Sequence, residues 1–210
     1  MTLKAIFNNP EQDRALIKAV ESDDILGIIA ACEKGADPNV RDPATGRNLL
    51  FTILDKVSTD DGKKQEGSLW AHFFALQQRG ADVNLAGKDG VTPLHYGFDK
   101  HCNMLLAAML MQAGLPVNAP DPRTGDTPLH RALPLFLEGA DKLDDTAFEL
   151  LVCLGPDPEI PNHAGLSALD IARASPAEKA GAAVAKMLNT PAMKQRRLQA
   201  RAKENPFKLK

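Results

Sequence analysis

Thr92-Pro93-Leu94-His95 returns as Thr127-Pro128-Leu129-His130, and Gly35-Ala36-Asp37-Pro38-Asn39 returns as Gly80-Ala81-Asp82-Val83-Asn84. Phrases that recur in a fixed order mark a repeat architecture, which has to be settled before any local reading. In a regular unit the Thr of the first phrase stands about 21 positions before the Gly of the second, room for two short helices. From Thr92 to Gly114 the distance is 22. Counting back from Gly35 reaches Arg14, so Ala15 to Val20 reads as a first helix. Ile25 to Cys32 reads as a second, capped by Ser22 or Asp23 and stopped at Lys34-Gly35.

Working outward on the same count divides the chain into five units, about 11–41, 42–86, 87–121, 122–161 and 162–190. Residues 1–10 form an N-terminal cap in which Leu3, Ile6 and Phe7 have helical spacing. The second unit carries about eleven extra residues, chiefly Ser58 to Gly67 (STDDGKKQEG), and the fourth about seven, at 138–144. Gly139-Ala140-Asp141 imitates the second phrase. It follows Thr127 too closely for a helix to intervene, whereas Asp145 to Leu154 fits as a second helix before Gly155. Pro134 falls in the first helix of the fourth unit, where a missing N–H costs about 3 kcal/mol. It should end or kink that helix and leave large apolar side chains of Leu135-Phe136-Leu137 near a surface.

These phrases resemble the ankyrin-repeat family over nearly nine-tenths of the chain. The resemblance implies an all-α solenoid of stacked helix-turn-helix units joined by short hairpin loops. Each residue type in the phrases has a mechanical role. Thr92 and Thr127 cap a helix, and Pro93 and Pro128 occupy its first turn, where an N–H has no partner to lose. Leu94 and Leu129 point into the stack. Gly35, Gly80, Gly114 and Gly155 supply the left-handed residue that ends a second helix. Asn39, Asn84 and Asn118 should pair backbone groups of the following turn. The chain departs from the pattern at Leu115-Pro116 and at Glu159, which stands where Asn is expected. The resemblance also implies that the imidazoles of His95 and His130 tie neighbouring hairpins together.

Composition agrees with a helical core: 44% of residues are apolar, with one Trp, one Tyr and eight Phe, so Leu and Ala should do most of the packing. Cys32, Cys102 and Cys153 are isolated and odd in number. They read as small core residues and reduced thiols of a cytoplasmic protein. Of the His residues, His72, His101 and His163 have no second ligand one helical turn away, so no zinc site is expected. No Gly-rich phosphate loop is present. Gly46 and Gly125 close Asp-Pro-x-Thr-Gly turns at hairpin tips, and no cofactor is indicated. The reading is non-enzymatic. No stretch approaches a membrane span of about 20 apolar residues.

Function, on this reading, is surface complementarity to a protein partner, with the chain monomeric by itself. Hairpin tips and the outer sides of first helices should form one concave strip, lined by Lys18 and Glu21 from unit one. Unit two adds Arg47, Thr52, Asp55 and Lys56, and unit three Val91, Tyr96, Asp99 and Lys100. Unit four adds Arg123, Asp126, Arg131 and Leu135. Units about 10 Å apart would span about 50 Å. Tyr96 is the only Tyr, a residue type over-represented in binding hot spots. The mixed signs of the strip argue against a polyanion in it. Such chains resemble immunity proteins that neutralise a basic toxin, or effectors. A separate alternative lies in residues 191–210, with seven Lys/Arg against one Glu. This basic tail should be helical from Thr190-Pro191 and could meet an anionic partner such as nucleic acid or a membrane surface. Only Phe207 is available for base stacking, which argues against nucleic acid.

Overall fold

Asn9 accepts from the Gln12 N–H and Pro10 takes the first helical position, so the first helix starts earlier than Ala15 and runs Pro10–Glu21. The computed structural model describes residues 9–57, 66–100, 117–139 and 145–204. They are mostly helical, and none of them forms a strand. The chain divides into two compact units, residues 1–109 and 110–210.

In the first unit α1 (Pro10–Glu21), α2 (Ile25–Glu33), α3 (Leu49–Val57), α4 (Glu66–Gln78) and α5 (Pro93–Lys100) follow in order. α1 packs on α2 and α3, α2 on α4, and α3 on α4 and α5. Helices that come first in each expected pair therefore stack on one another, and so do those that come second. The cap of α2 is neither Ser22 nor Asp23. Asp24 accepts from the Gly27 N–H at 2.9 Å. Ser22 instead ends α1, its hydroxyl donating to Lys18 O, while Asp23 makes the turn with a positive φ of 56°.

Gly35 and Gly80 end α2 and α4 with φ of 94° and 95°. The Gly35 N–H reaches Cys32 O and the Ala36 N–H reaches Ala31 O, both at 3.0 Å; Gly80 and Ala81 repeat the pair on Gln77 and Leu76. Two nested bonds closed by a left-handed residue satisfy carbonyls that the helix itself leaves unpaired.

In the second unit α6 (Pro128–Glu138), α7 (Asp145–Cys153), α8 (Ala168–Ala174), α9 (Ala180–Leu188) and α10 (Pro191–Glu204) follow. α6 packs on α7, α8 and α9, α7 on α9, α8 on α9, and α9 on α10. Pro134 does not end α6; the helix continues to Glu138 and stops at Gly139. The proline faces outward while Phe136 is buried and stacks on Phe148 with ring centroids 4.1 Å apart. Phe136 is a core residue, and Leu135 and Leu137 are half-buried rather than a projecting anchor.

Leu and Ala supply most of the buried apolar side chains among the described residues, as composition suggested, and five Phe join them. Phe51, Phe73, Phe98, Phe136 and Phe148 are all fully buried beside Leu16, Leu50, Leu54, Leu76 and Leu94. A fully buried Phe contributes about 1.5–3 kcal/mol by removal from water, as a buried Leu does, so the more numerous leucines carry more of the total.

A side-chain ladder joins successive loops within each unit. The Asp82 N–H donates to Asn39 Oδ1 at 2.7 Å and Asn39 Nδ2 donates to Gly80 O at 2.9 Å. In the second unit the Asp157 N–H donates to Asn118 Oδ1 at 2.7 Å. These Asn side chains thus reach the loop some forty residues on, not the turn beside them. The first rung uses Asp13 of α1, which accepts from the Asp37 N–H at 2.8 Å. Asn84 gives its backbone N–H to Asp82 Oδ1.

The segment expected at 58–67 is described only at Glu66 and Gly67, which begin α4. In the other expected insertion, 138–144, residues 140–144 lie outside the described residues. So do Leu3, Ile6 and Phe7, and also His101, Cys102, Gly114, Leu115 and Pro116.

Candidate partner-binding surface

Three of the residues expected on the outer strip converge in the first unit. Tyr96 on α5 donates its hydroxyl to Asp55 Oδ1 on α3 at 2.6 Å. Arg47 leaves the hairpin before α3 and lays its guanidinium 4.5 Å from the Tyr96 ring centroid and 5.0 Å from that of Phe51. The two rings stand 5.2 Å apart. Arg47 also donates to Asp89 Oδ2 at 2.9 Å. Burial opposes the Arg47 charge, but Asp89 and Tyr96 outweigh it and raise its pKa above the usual guanidinium value. The result is an aromatic side chain, half-buried, whose rotamer is held by a cation on one side and a carboxylate at its tip.

The other first-unit candidates separate. Lys56 turns away to the end of α1: its Nζ donates to Val20 O at 2.9 Å, Glu21 O at 2.8 Å and Asp23 Oδ1 at 2.6 Å. An ammonium on the last carbonyls of a helix meets the negative end of its dipole. Lys56 is therefore a helix clamp and leaves the candidate set. Val91 is 1% exposed and is core, a second correction. Thr52 is half-buried on α3, while Lys18 on α1 and Asp99 on α5 are exposed. Lys100 ends α5, and its side chain lies outside the described residues.

In the second unit the candidates gather round a residue the sequence reading passed over. Asp121 has a side-chain exposure of 0%. Its carboxylate takes Arg123 Nη2 at 2.9 Å, Arg123 Nε at 3.2 Å, the Arg123 N–H at 2.8 Å and an Arg131 Nη2 bond. Burial alone would raise the Asp121 pKa. The hydrogen bonds from Arg123 and the charges of Arg131 and Arg123 overcome that and lower it to about 2. Arg131 also lies 4.0 Å from Asp126, which accepts from Asn162 Nδ2 at 2.9 Å. Arg123, Asp126 and Arg131 thus form one charge network with Asp121 at its centre. Leu135 sits half-buried farther along α6.

The signal for Asp121 was present in the Asp-Pro-x-Thr-Gly turn, which occurs twice. Asp42 and Asp121 open the same backbone turn: the Gly46 N–H reaches Asp42 O and the Gly125 N–H reaches Asp121 O, both at 2.7 Å. Asp42 is exposed and Asp121 is not, because Arg123 and Arg131 replace Ala44 and Thr52. Both turns rest on the following hairpin, through Lys88 N–H to Thr45 O at 2.8 Å and His163 N–H to Thr124 O at 2.9 Å.

His130 acts as the resemblance implied. The Thr127 N–H donates to its Nδ1 at 3.2 Å, so Nδ1 is the acceptor and Nε2 carries the proton. Nε2 then donates to Leu166 O at 3.0 Å, joining α6 to the next hairpin. His95 is 1% exposed with Nδ1 2.9 Å from Thr92 Oγ1. Cys32 and Cys153 depart from the core role given to them: Cys32 is half-buried and Cys153 exposed. Burial, aided by Asp37 and opposed by Arg79, pushes the Cys32 thiol up.

The basic tail is helical over Pro191–Glu204, as α10, and Arg196 on it is engaged. Arg196 Nη1 donates to Asp157 Oδ1 at 2.8 Å, and both guanidinium nitrogens bind further oxygens of Asp157 and Glu159.

Among the described residues no group of three His, Cys, Asp or Glu side chains converges to hold a metal ion. No helix among them is long and apolar enough to cross a membrane. No protein-family model matches the chain, and no curated protein matches it significantly.

Proposed function

We propose that this chain is a non-enzymatic binding protein of ankyrin-repeat type that holds a protein partner on the outer register of its first helices. The observation that carries this reading is the Arg47–Tyr96–Asp55 cluster. A half-buried aromatic side chain fixed before the partner arrives loses little entropy on binding, and Tyr and Arg dominate interface hot spots. Tyr96 and Arg131 follow Thr92 and Thr127 at the same interval. In each unit that register carries a side chain already held by its neighbours. Successive helix packing and the Asn ladder between loops support the repeat architecture itself.

A basic protein domain suits the mixed but acidic body of residues 1–190, as for an immunity protein or an effector. Affinity capture with the full chain tests the reading. Tyr96→Ala and Arg131→Ala should each reduce recovery of a specific protein partner by about tenfold or more, with helix content unchanged. Capture that is indifferent to both substitutions, or no stoichiometric partner from the native lysate, counts against it. The alternative reading, an anionic partner on the tail, gains nothing from α10, whose Arg196 is turned on the chain's own carboxylates.

A further inference from the structure

We infer that α10 is an electrostatic strap, buckled by Arg196 over the loop Asp157–Glu159, which closes this end of the second unit and can open while the rest of that unit stays folded. The argument starts from the loop ladder. In the first unit Asn39 spends its side chain on the backbone of the next loop, at Gly80 and Asp82. Asn118 does the same for Asp157. Position 159 is the next place in that series, two residues beyond Asp157 as Asn39 is two beyond Asp37, and it holds Glu instead of Asn.

A carboxylate cannot donate to a carbonyl, so the Asn rung cannot form there. It can take a guanidinium, and Arg196 fills the place that a following loop fills elsewhere. Two nitrogens of Arg196 meet both oxygens of Asp157, and one of them also meets Glu159. A planar fork on a carboxylate is the stronger form of ion pair. The Glu159 N–H donates to Asp157 Oδ1 at 3.0 Å, which holds the two acids on one side of the loop.

Few of the other described side chains of the strap are buried. Thr190 caps α10 from a buried position, the Lys194 N–H reaching Thr190 O at 3.0 Å, and Met193 is 6% exposed. Beyond Met193, Lys194, Gln195 and Arg196 are exposed, and Leu198 is 62% exposed. Among the described side chains of this helix Met193 is the buried one, so the Arg196 fork is the described contact that fastens the helix beyond its first turn. Arg196 and Glu159 are each 46% exposed, which leaves the buckle open to screening by salt. Opening frees the Arg196 guanidinium and the Asp157 and Glu159 carboxylates it holds, so the strap decides which of these charges this end presents. This inference rests on contacts inside the second unit and stands whether or not the partner reading does.

Hydrogen exchange on the full chain tests it, read separately for residues 191–204 and for α7 to α9. Arg196→Gln should speed exchange of 191–204 by about tenfold, and Arg196→Lys, which keeps the charge but loses the fork, by about threefold. Raising NaCl from about 50 to about 500 mM should speed it by about threefold in the parent chain and have no effect in Arg196→Gln. Exchange of 191–204 that ignores both the substitution and salt overturns the strap. So does equal acceleration in α7 to α9, since Arg196 would then belong to one cooperative core.

Discussion

The Tyr96 hydroxyl donates to Asp55 Oδ1 at 2.6 Å, so the only Tyr of the chain links α5 to α3 while its ring carries the Arg47 guanidinium. Ring and hydroxyl do different work, and substitutions separate them. Tyr96→Phe keeps the ring against Phe51 and Arg47 and removes the hydroxyl with its hydrogen bonds to Asp55 and Arg47. Its cost in chemical denaturation should be about 0.5–1 kcal/mol. Tyr96→Ala removes the ring as well and should cost about 2–4 kcal/mol. Equal costs would mean that the ring contributes no packing.

Asp121 has a lowered folded-state pKa of about 2, against 3.8 for the unperturbed group. A lowered carboxylate pKa contributes stability that is complete above the unfolded value and is lost as pH falls through the folded one. The contribution should therefore be constant from pH 7 to about 4 and fade between about 4 and about 2, with a size near 2 kcal/mol. Asp121→Asn, compared with the parent chain by urea denaturation across that range, should show a gap that closes only below about pH 4. A gap independent of pH would assign the loss to packing instead of charge.

Lys56 donates to the last two carbonyls of α1 and to Asp23, across more than thirty residues of sequence. Lys56→Met preserves the length and apolar character of the side-chain stem and deletes the ammonium. Stability should fall by about 1–2 kcal/mol, with faster hydrogen exchange at Ser22, Asp23 and Asp24. Unchanged exchange at that turn would remove the clamp assignment.

Gly125 and Gly165 share a left-handed backbone, with φ of 74° and 77°. Only Gly125 is crowded: an added Cβ would lie 2.6 Å from His163 N, whereas at Gly165 nothing lies within 4 Å. Gly165→Ala should cost about 1 kcal/mol, the left-handed penalty alone. Gly125→Ala should cost at least about 3 kcal/mol, because the two hairpins must part. Thermal unfolding of the two variants, measured side by side, gives the comparison. Similar midpoints would contradict the close stacking of these turns.

Sequence phrases located the helices because their causes are local. A Pro in the first turn, a Thr before it and a Gly after a second helix each act within a few residues, and counting between them found α2 and α7. Boundaries slipped where two neighbours competed for one job, as at Ser22, Asp23 and Asp24. Pro134 does not end α6, because a proline removes one hydrogen bond but does not forbid a helix whose next residues are held by packing. Phe136 is held in the core by Phe148, and that contact keeps the helix running.

By itself, then, the sequence determined mostly helical structure among the described residues and the turns that end those helices, since both follow from backbone preferences of single residues. It also placed Tyr96, Arg47 and Asp55 among the candidates for the outer strip, without bringing them together. Which charges were already spent was decided only by tertiary structure. Lys56 finds its acceptors on α1, Asp121 is shielded by Arg131 from the following helix, and Arg196 meets Asp157 and Glu159 across nearly forty residues. A charge looks the same in sequence whether it faces water or a partner far along the chain. Only folding sets the distance between them, and Coulomb energy and desolvation both depend on that distance.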